Sequence, residues 1–248
     1  MSSRKKKKAL RNGTNLPATT ATLGRNKIGL KVLRSIQIKP EFWTRNQELL
    51  YNTILEKPLT FTTGPAGTGK TYISALAALM VLRDKKHKIK KVYITKPLVE
   101  AGEKLGFLPG GVEEKTDPFM FSFYMNIQKI AGKGVADILL KDQTIEVLPL
   151  AYMRGITLEN CVAILDETQN SSPQQVKMFL SRLGRNAKLI VSGDERQKDT
   201  NLQVDGLSDA VNKLENLDKQ IGVVKFQKED IIRHSLVTKI LDAYEEQS

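Results

Sequence analysis

The run Gly64-Pro65-Ala66-Gly67-Thr68-Gly69-Lys70-Thr71 has the form glycine, four residues, Gly-Lys-Thr. This is the spacing of a phosphate-binding loop. Glycines let the backbone fold tightly and turn its N–H groups inward onto phosphate oxygens. A helix that starts there brings its positive end to the same phosphates. Lys70 is expected to reach the β- and γ-phosphates of a nucleotide, and the Thr71 hydroxyl to ligate Mg²⁺. Ahead of the loop, Pro58 to Thr63 reads as a short buried strand; behind it, Tyr72 to Leu82 reads as an apolar helix. Strand, loop and helix in that order are the context the motif needs, and they disfavour a glycine-rich turn with no ligand.

Outward from the loop, short apolar runs alternate with helical patterns. Pro40 to Ile54 predicts a loop and then a helix capped at Thr44 or Asn46, with Trp43 as a core candidate. Strands are expected at Lys91–Thr95, Gln143–Leu148, Cys161–Leu165, Lys188–Val191 and Val223–Phe226. Helices are expected at Pro118–Ala131, Pro173–Leu183, Leu207–Leu217 and Asp230–Tyr244. Such alternation predicts an α/β fold: a mostly parallel sheet with helices on both faces. Neither an internal repeat nor a domain-length linker interrupts it.

The chain of 248 residues carries a formal net charge of +12, unevenly placed. Residues 1–40 hold 11 basic residues and no acid, which leaves 28 basic against 27 acidic in the remainder. The basic character therefore belongs to an N-terminal arm. Residues 1–30, rich in Lys, Thr, Asn and Gly, are expected to be disordered, either as a contact for nucleic-acid phosphates or as a solubilising tail. One domain at 40–246 follows. A lone cysteine, Cys161, gives no internal disulfide framework. No apolar run is long enough to span a membrane and no signal peptide is evident. A cytoplasmic protein is the expectation.

Ligands of parallel α/β sheets lie at the carboxyl ends of the strands. Three strand ends here carry polar groups: the phosphate loop, Asp166-Glu167, and Ser192-Gly193-Asp194. Asp166 after four apolar residues suits the acidic residue that holds Mg²⁺. Glu167 can take a proton from a water aimed at the γ-phosphate. Gln197 can hydrogen-bond that phosphate or its attacking water. Arg154 and Arg233 are candidates for neutralising transition-state charge. Gln47 stands ahead of the loop, where its amide could read an adenine edge. The two histidines, His87 and His234, lack metal-ligand spacing.

These residues together carry a family resemblance. Gly64–Thr71, Val99–Gly110, Glu114–Pro118, Pro149–Gly155, Leu165–Asn170, Met178–Leu180, Gly193-Asp194 with Gln197, and Arg233-His234 resemble the PhoH family from about residue 40 to 246. The resemblance implies a RecA-like P-loop fold, ATP binding and ATPase activity, similarity to superfamily 1 helicase motors, and a link to RNA. It also implies induction by phosphate starvation, and the short chain resembles bacteriophage members. It strengthens Gln197, Arg233 and Arg154 as site residues. Lys96, Thr168 and Ser192 depart from the family pattern, which leaves the role of position 96 open. Helicases of that superfamily bind ATP between two RecA-like domains. One phosphate loop is present here, so the expectation is a homo-oligomeric ring, hexameric by preference, with an arginine given in trans. RNA or another single-stranded nucleic acid is the expected partner. The alternative is a nucleotide-gated RNA-binding module without unwinding activity. A small-molecule kinase is disfavoured for want of a lid-like arginine cluster. A GTPase is disfavoured because Asn212–Glu215 only loosely imitates a guanine-reading motif.

Overall fold

The computed structural model describes residues 27–97, 112–195, 205–233 and 236. Its centre is a six-stranded, all-parallel sheet built from β1 (Leu59–Thr63), β2 (Lys91–Thr95), β3 (Ile145–Val147), β4 (Cys161–Leu165), β5 (Lys188–Ser192) and β6 (Ile221–Lys225). The order across the sheet is β3-β2-β4-β5-β1-β6. β5 thus separates the strand leading to the phosphate loop from the strand ending at Asp166. Helices α1 (Lys27–Ser35), α2 (Arg45–Glu56), α3 (Lys70–Arg83), α4 (Val112–Ala131), α5 (Lys133–Lys141), α6 (Pro173–Leu180) and α7 (Gly206–Leu214) cover it.

Strand side chains alternate between two cores, as a period of two requires. Val162, Ile164 and Ile190 join Leu50, Leu76, Leu79 and Phe123 from α2, α3 and α4 on one face. Ala163, Leu165, Leu189 and Val191 join Val176, Phe179, Leu207 and Val211 from α6 and α7 on the other. Both faces are covered, so the strands read as continuous apolar runs. This is the doubly covered parallel sheet of a RecA-like P-loop domain.

Several boundaries differ from the sequence reading, each for a local reason. α1 begins at Lys27, inside the stretch expected to be disordered. Leu33 is fully buried, and Asp142, at the C-cap of α5, accepts a hydrogen bond from the Gly29 N–H at 2.6 Å. Burial of one leucine stabilises by about 1.5–3 kcal/mol, enough to hold a two-turn helix that is marginal alone. Residues 1–26 lie outside the described part. α4 starts at Val112 and runs through Pro118, which forfeits one helical donor without ending the helix. α6 ends at Leu180, not Leu183, because the chain turns to bridge Leu158: Leu158 N–H donates to Arg182 and Gly184 N–H to Leu158. The closing helix does not begin at Asp230: Lys228–Asp230 is a 3-10 turn, Ile231–Arg233 is non-helical, and Leu236 is helical. Apart from Leu236, the remainder of that stretch lies outside the described residues. Trp43 is 62% exposed rather than core. Among the described residues, no helix is long and apolar enough to cross a membrane.

Candidate nucleotide site

β1 delivers the chain to the carboxyl edge of the sheet, and the loop turns there into α3. Gly67 and Gly69 have φ of +84° and +83°, a region that penalises any side chain. Space is lacking too. A Cβ on Gly67 would lie 2.5 Å from Arg233 Nε, and one on Gly69 2.8 Å from Gln47 Nε2. Gly69 is the N-cap of α3 and offers no side-chain cap. The first-turn N–H groups of a fourteen-residue helix therefore face the loop's concave side, where they suit an anion.

The loop is braced on three sides. Gln47 Nε2 donates to the Thr68 carbonyl at 3.0 Å, while Gln47 Oε1 accepts from the Trp43 N–H at 2.9 Å. Ile232 N–H donates to the Gly67 carbonyl at 3.1 Å. Ala66 N–H donates to Asp194 Oδ2 at 2.9 Å. Thr68 Oγ1 donates to the Pro65 carbonyl. Lys70 Nζ donates to the carbonyls of Gly64 and Pro65 at 2.6 and 2.8 Å. Burial lowers the pKa of Lys70, Arg233 adds to that, and Asp194, Asp166 and Glu167 oppose it. Three carboxylates thus favour the ammonium against desolvation, while its two hydrogen-bond partners are carbonyls that phosphate oxygens can replace.

The loop, Asp166, Glu167, Asp194 and Arg233 line one cleft of about 260 Å³. Thr71 Oγ1 donates to Asp166 Oδ2 at 3.2 Å. A hydroxyl and a buried carboxylate at that separation are hard oxygen donors that fit Mg²⁺, whose other positions phosphate and water would fill. Among the described residues, no cluster of three or more His, Cys, Asp or Glu could hold a metal by itself, so the fit is to a metal that arrives with phosphate. Glu167 has φ of +54°, left-handed for a residue with a side chain. Such strain is retained where surrounding structure fixes it. Here Gln169 Nε2 donates to Glu167 Oε2 at 2.8 Å, and Gln169 Oε1 accepts from the Asp194 N–H at 3.0 Å. Gln169 itself is buried.

The structure brings together Gly64, Pro65, Ala66, Gly67, Thr68, Gly69, Lys70, Thr71, Asp166, Glu167 and Arg233, as the sequence led one to expect. Gln197 lies outside the described residues. Arg154 is exposed at the end of a 3-10 turn after β3 and does not line the cleft. Gln47 is a correction. It is fully buried, both ends of its amide are engaged within the protein, and it positions the loop rather than facing a base. The sequence reading gave no role to Asn126 and Tyr72, which line the cleft, or to Gln169. Lys96 Nζ lies 3.7 Å from Asp166 Oδ2 and donates to Ser122 Oγ, so position 96 is an electrostatic neighbour of the Asp166 carboxylate. Lys96 follows β2, and the strand-end rule would have found it. Asn126 stands mid-helix with no local signal. The guanine-reading imitation fails: Asn212–Leu214 is helical, and Glu215 pairs with Lys225 at 2.9 Å.

The family profile described as PhoH-like protein matches residues 37–245. The chain belongs to the PhoH-like family. The PhoH-like protein of Bacillus subtilis is 42% identical over 216 residues, covering 87% of this chain and 66% of its own length. Protein PhoH of Escherichia coli is 42% identical over 205 residues, covering 81% of this chain and 57% of its own. The chain thus spans about two thirds or less of these curated relatives. Among solved structures, the Pif1 helicase of Candida albicans aligns at 19% identity and a TM-score of 0.42, covering 82% of this chain and 43% of that one. PhoH-like membership and the loop geometry together make this a nucleotide-binding P-loop domain.

Proposed function

We propose that this PhoH-like domain binds ATP with Mg²⁺ and hydrolyses it. The observation that carries the reading is the convergence of Lys70, the Thr71–Asp166 pair, Glu167 and Arg233 on one cleft. Lys70 exchanges its carbonyl partners for the β- and γ-phosphates of the substrate. Loop N–H groups and the start of α3 hold the same oxygens. Thr71 and Asp166 would hold magnesium, which supplies charge neutralisation at the phosphate oxygens. Glu167, fixed by Gln169, accepts a proton from the attacking water. Arg233 lies against the loop and offsets charge that builds on the transferred phosphoryl group.

The finer reading is that hydrolysis drives action on RNA or another single-stranded nucleic acid, as helicase or remodeller, within a homo-oligomeric ring, hexamer preferred. Two facts support it. The described residues hold one phosphate loop, and Arg154 is exposed and away from the cleft that this loop lines, where it can serve a neighbouring subunit. An arginine supplied in trans is worth roughly 10³-fold or more in rate. The test measures phosphate release across protein concentration, with mass from light scattering, with and without single-stranded RNA and DNA. Turnover per subunit that climbs with assembly and with RNA supports the reading. Full activity in a demonstrated monomer, indifferent to nucleic acid, ends it and leaves a simple ATPase.

A further inference from the structure

Trp43 is the chain's one tryptophan, and 62% of it is exposed beside the phosphate loop. Its ring packs against Tyr72, centroids 5.9 Å apart and planes tilted by 54°. Tyr72 follows Thr71 directly and is the one aromatic residue lining the cleft among the described residues. The Trp43 backbone is also anchored to the site: its amide N–H donates to Gln47 Oε1, and Gln47 Nε2 donates to the Thr68 carbonyl of the loop. Trp43 thus presents an exposed ring against Tyr72, which lines the cleft, while Gln47, the group nearby best equipped to read a base edge, is turned to the protein. The Gln47 amide is fully buried with both of its ends turned to the protein, so it offers no exposed edge to a base.

We propose that Trp43, braced by Tyr72, is the platform for the nucleobase and that it takes purines by stacking, without reading their edges. The site would then favour the larger bicyclic purines over pyrimidines and accept ATP and GTP with similar affinity, because adenine and guanine present alike π-faces and only an edge contact tells them apart. This rests on the phosphate loop binding triphosphates, as proposed above, and deepens it by naming the ligand class as purine nucleoside triphosphates rather than ATP alone.

Tryptophan fluorescence tests it directly, since the signal has a single source. ATP and GTP should each change the Trp43 emission and bind within about fivefold of each other. Inorganic tripolyphosphate, which fills the loop but has no base, should bind without that change. Trp43→Ala should weaken both nucleotides about tenfold and leave tripolyphosphate affinity as it was; that last measurement also shows the variant to be folded. The proposal is overturned if bound nucleotide leaves the emission unmoved, if tripolyphosphate produces the same change, or if ATP is preferred over GTP by about a hundredfold. If neither nucleotide nor tripolyphosphate binds, the phosphate-loop reading itself has failed, a different result from a bound nucleotide that ignores Trp43.

Discussion

Gln169 shows how much of the site depends on a residue that need not touch substrate. Its amide joins the Glu167 carboxylate to the Asp194 backbone, and the Asp194 carboxylate in turn holds the Ala66 N–H of the phosphate loop. It is a positioning residue for the proposed base. Gln169→Ala should lower kcat about ten- to a hundredfold, a part of what a positioned base contributes, with nucleotide affinity kept within about threefold. Steady-state kinetics paired with equilibrium binding checks this; an affinity loss as large as the kcat loss would place Gln169 in the loop's structure instead. At this scale the sequence is most legible where chemistry is local. Gly64–Thr71 and Asp166-Glu167 are contiguous motifs whose spacing encodes their geometry. Gln169 stood in the same string as Glu167, but its second partner, Asp194, is 25 positions away and invisible before folding. Gln47 was found as a candidate and misassigned, because sequence shows that an amide is near the loop and not which groups it already satisfies.

Elements were legible where a strand is buried on both faces or a cap is explicit. Thr44 caps α2 and Ser172 caps α6 with a full capping box. Ends were misjudged where tertiary pairing overrides the pattern, as at 181–184. Two predictions belong here. Gly206 opens α7 against α6, and a Cβ there would lie 2.5 Å from Val176 Cγ2, 2.7 Å from the Ser172 carbonyl and 2.8 Å from that of Ser171. Alanine gains up to about 1 kcal/mol in helix propensity, but backbone carbonyls cannot step aside, and overpacking costs about 1–3 kcal/mol. Gly206→Ala should therefore be net destabilising, with Tm lowered by a few degrees in calorimetry; an unchanged or raised Tm contradicts the packing described. Lys188 on β5 donates to the carbonyls of Leu55 and Lys57 at the end of α2, both at 2.9 Å. Burial lowers its pKa from 10.5 to about 8, against an opposing pull from Glu56. Between those values the unfolded chain carries more protons, so stability contributed at this site rises with pH across the window, and below about 8 the cost of burying the charge is fully present. Denaturant midpoints of wild type relative to Lys188→Met should shift in favour of wild type as pH climbs through that range. A flat difference would mean the ammonium is not desolvated as the structure has it.

On the scale of the whole molecule, the sheet places three strand ends side by side at one edge, and two separate cores fix that edge from above and below. The interposed β5 matters functionally. It sets the phosphate loop apart from Asp166-Glu167 by one strand and contributes Asp194 between them, which makes room for a metal, a phosphoryl group and a water. The alternating pattern made this architecture predictable; strand order was not, because nothing local says which strands neighbour. The direct test of the central claim is phosphate release from ATP by wild type and Glu167→Gln, with bound nucleotide measured on the same samples. The account predicts steady release by wild type, with ATP retained by the variant and hydrolysed at least about a hundredfold more slowly. Equal release by the two proteins, or nucleotide held by neither, would contradict it.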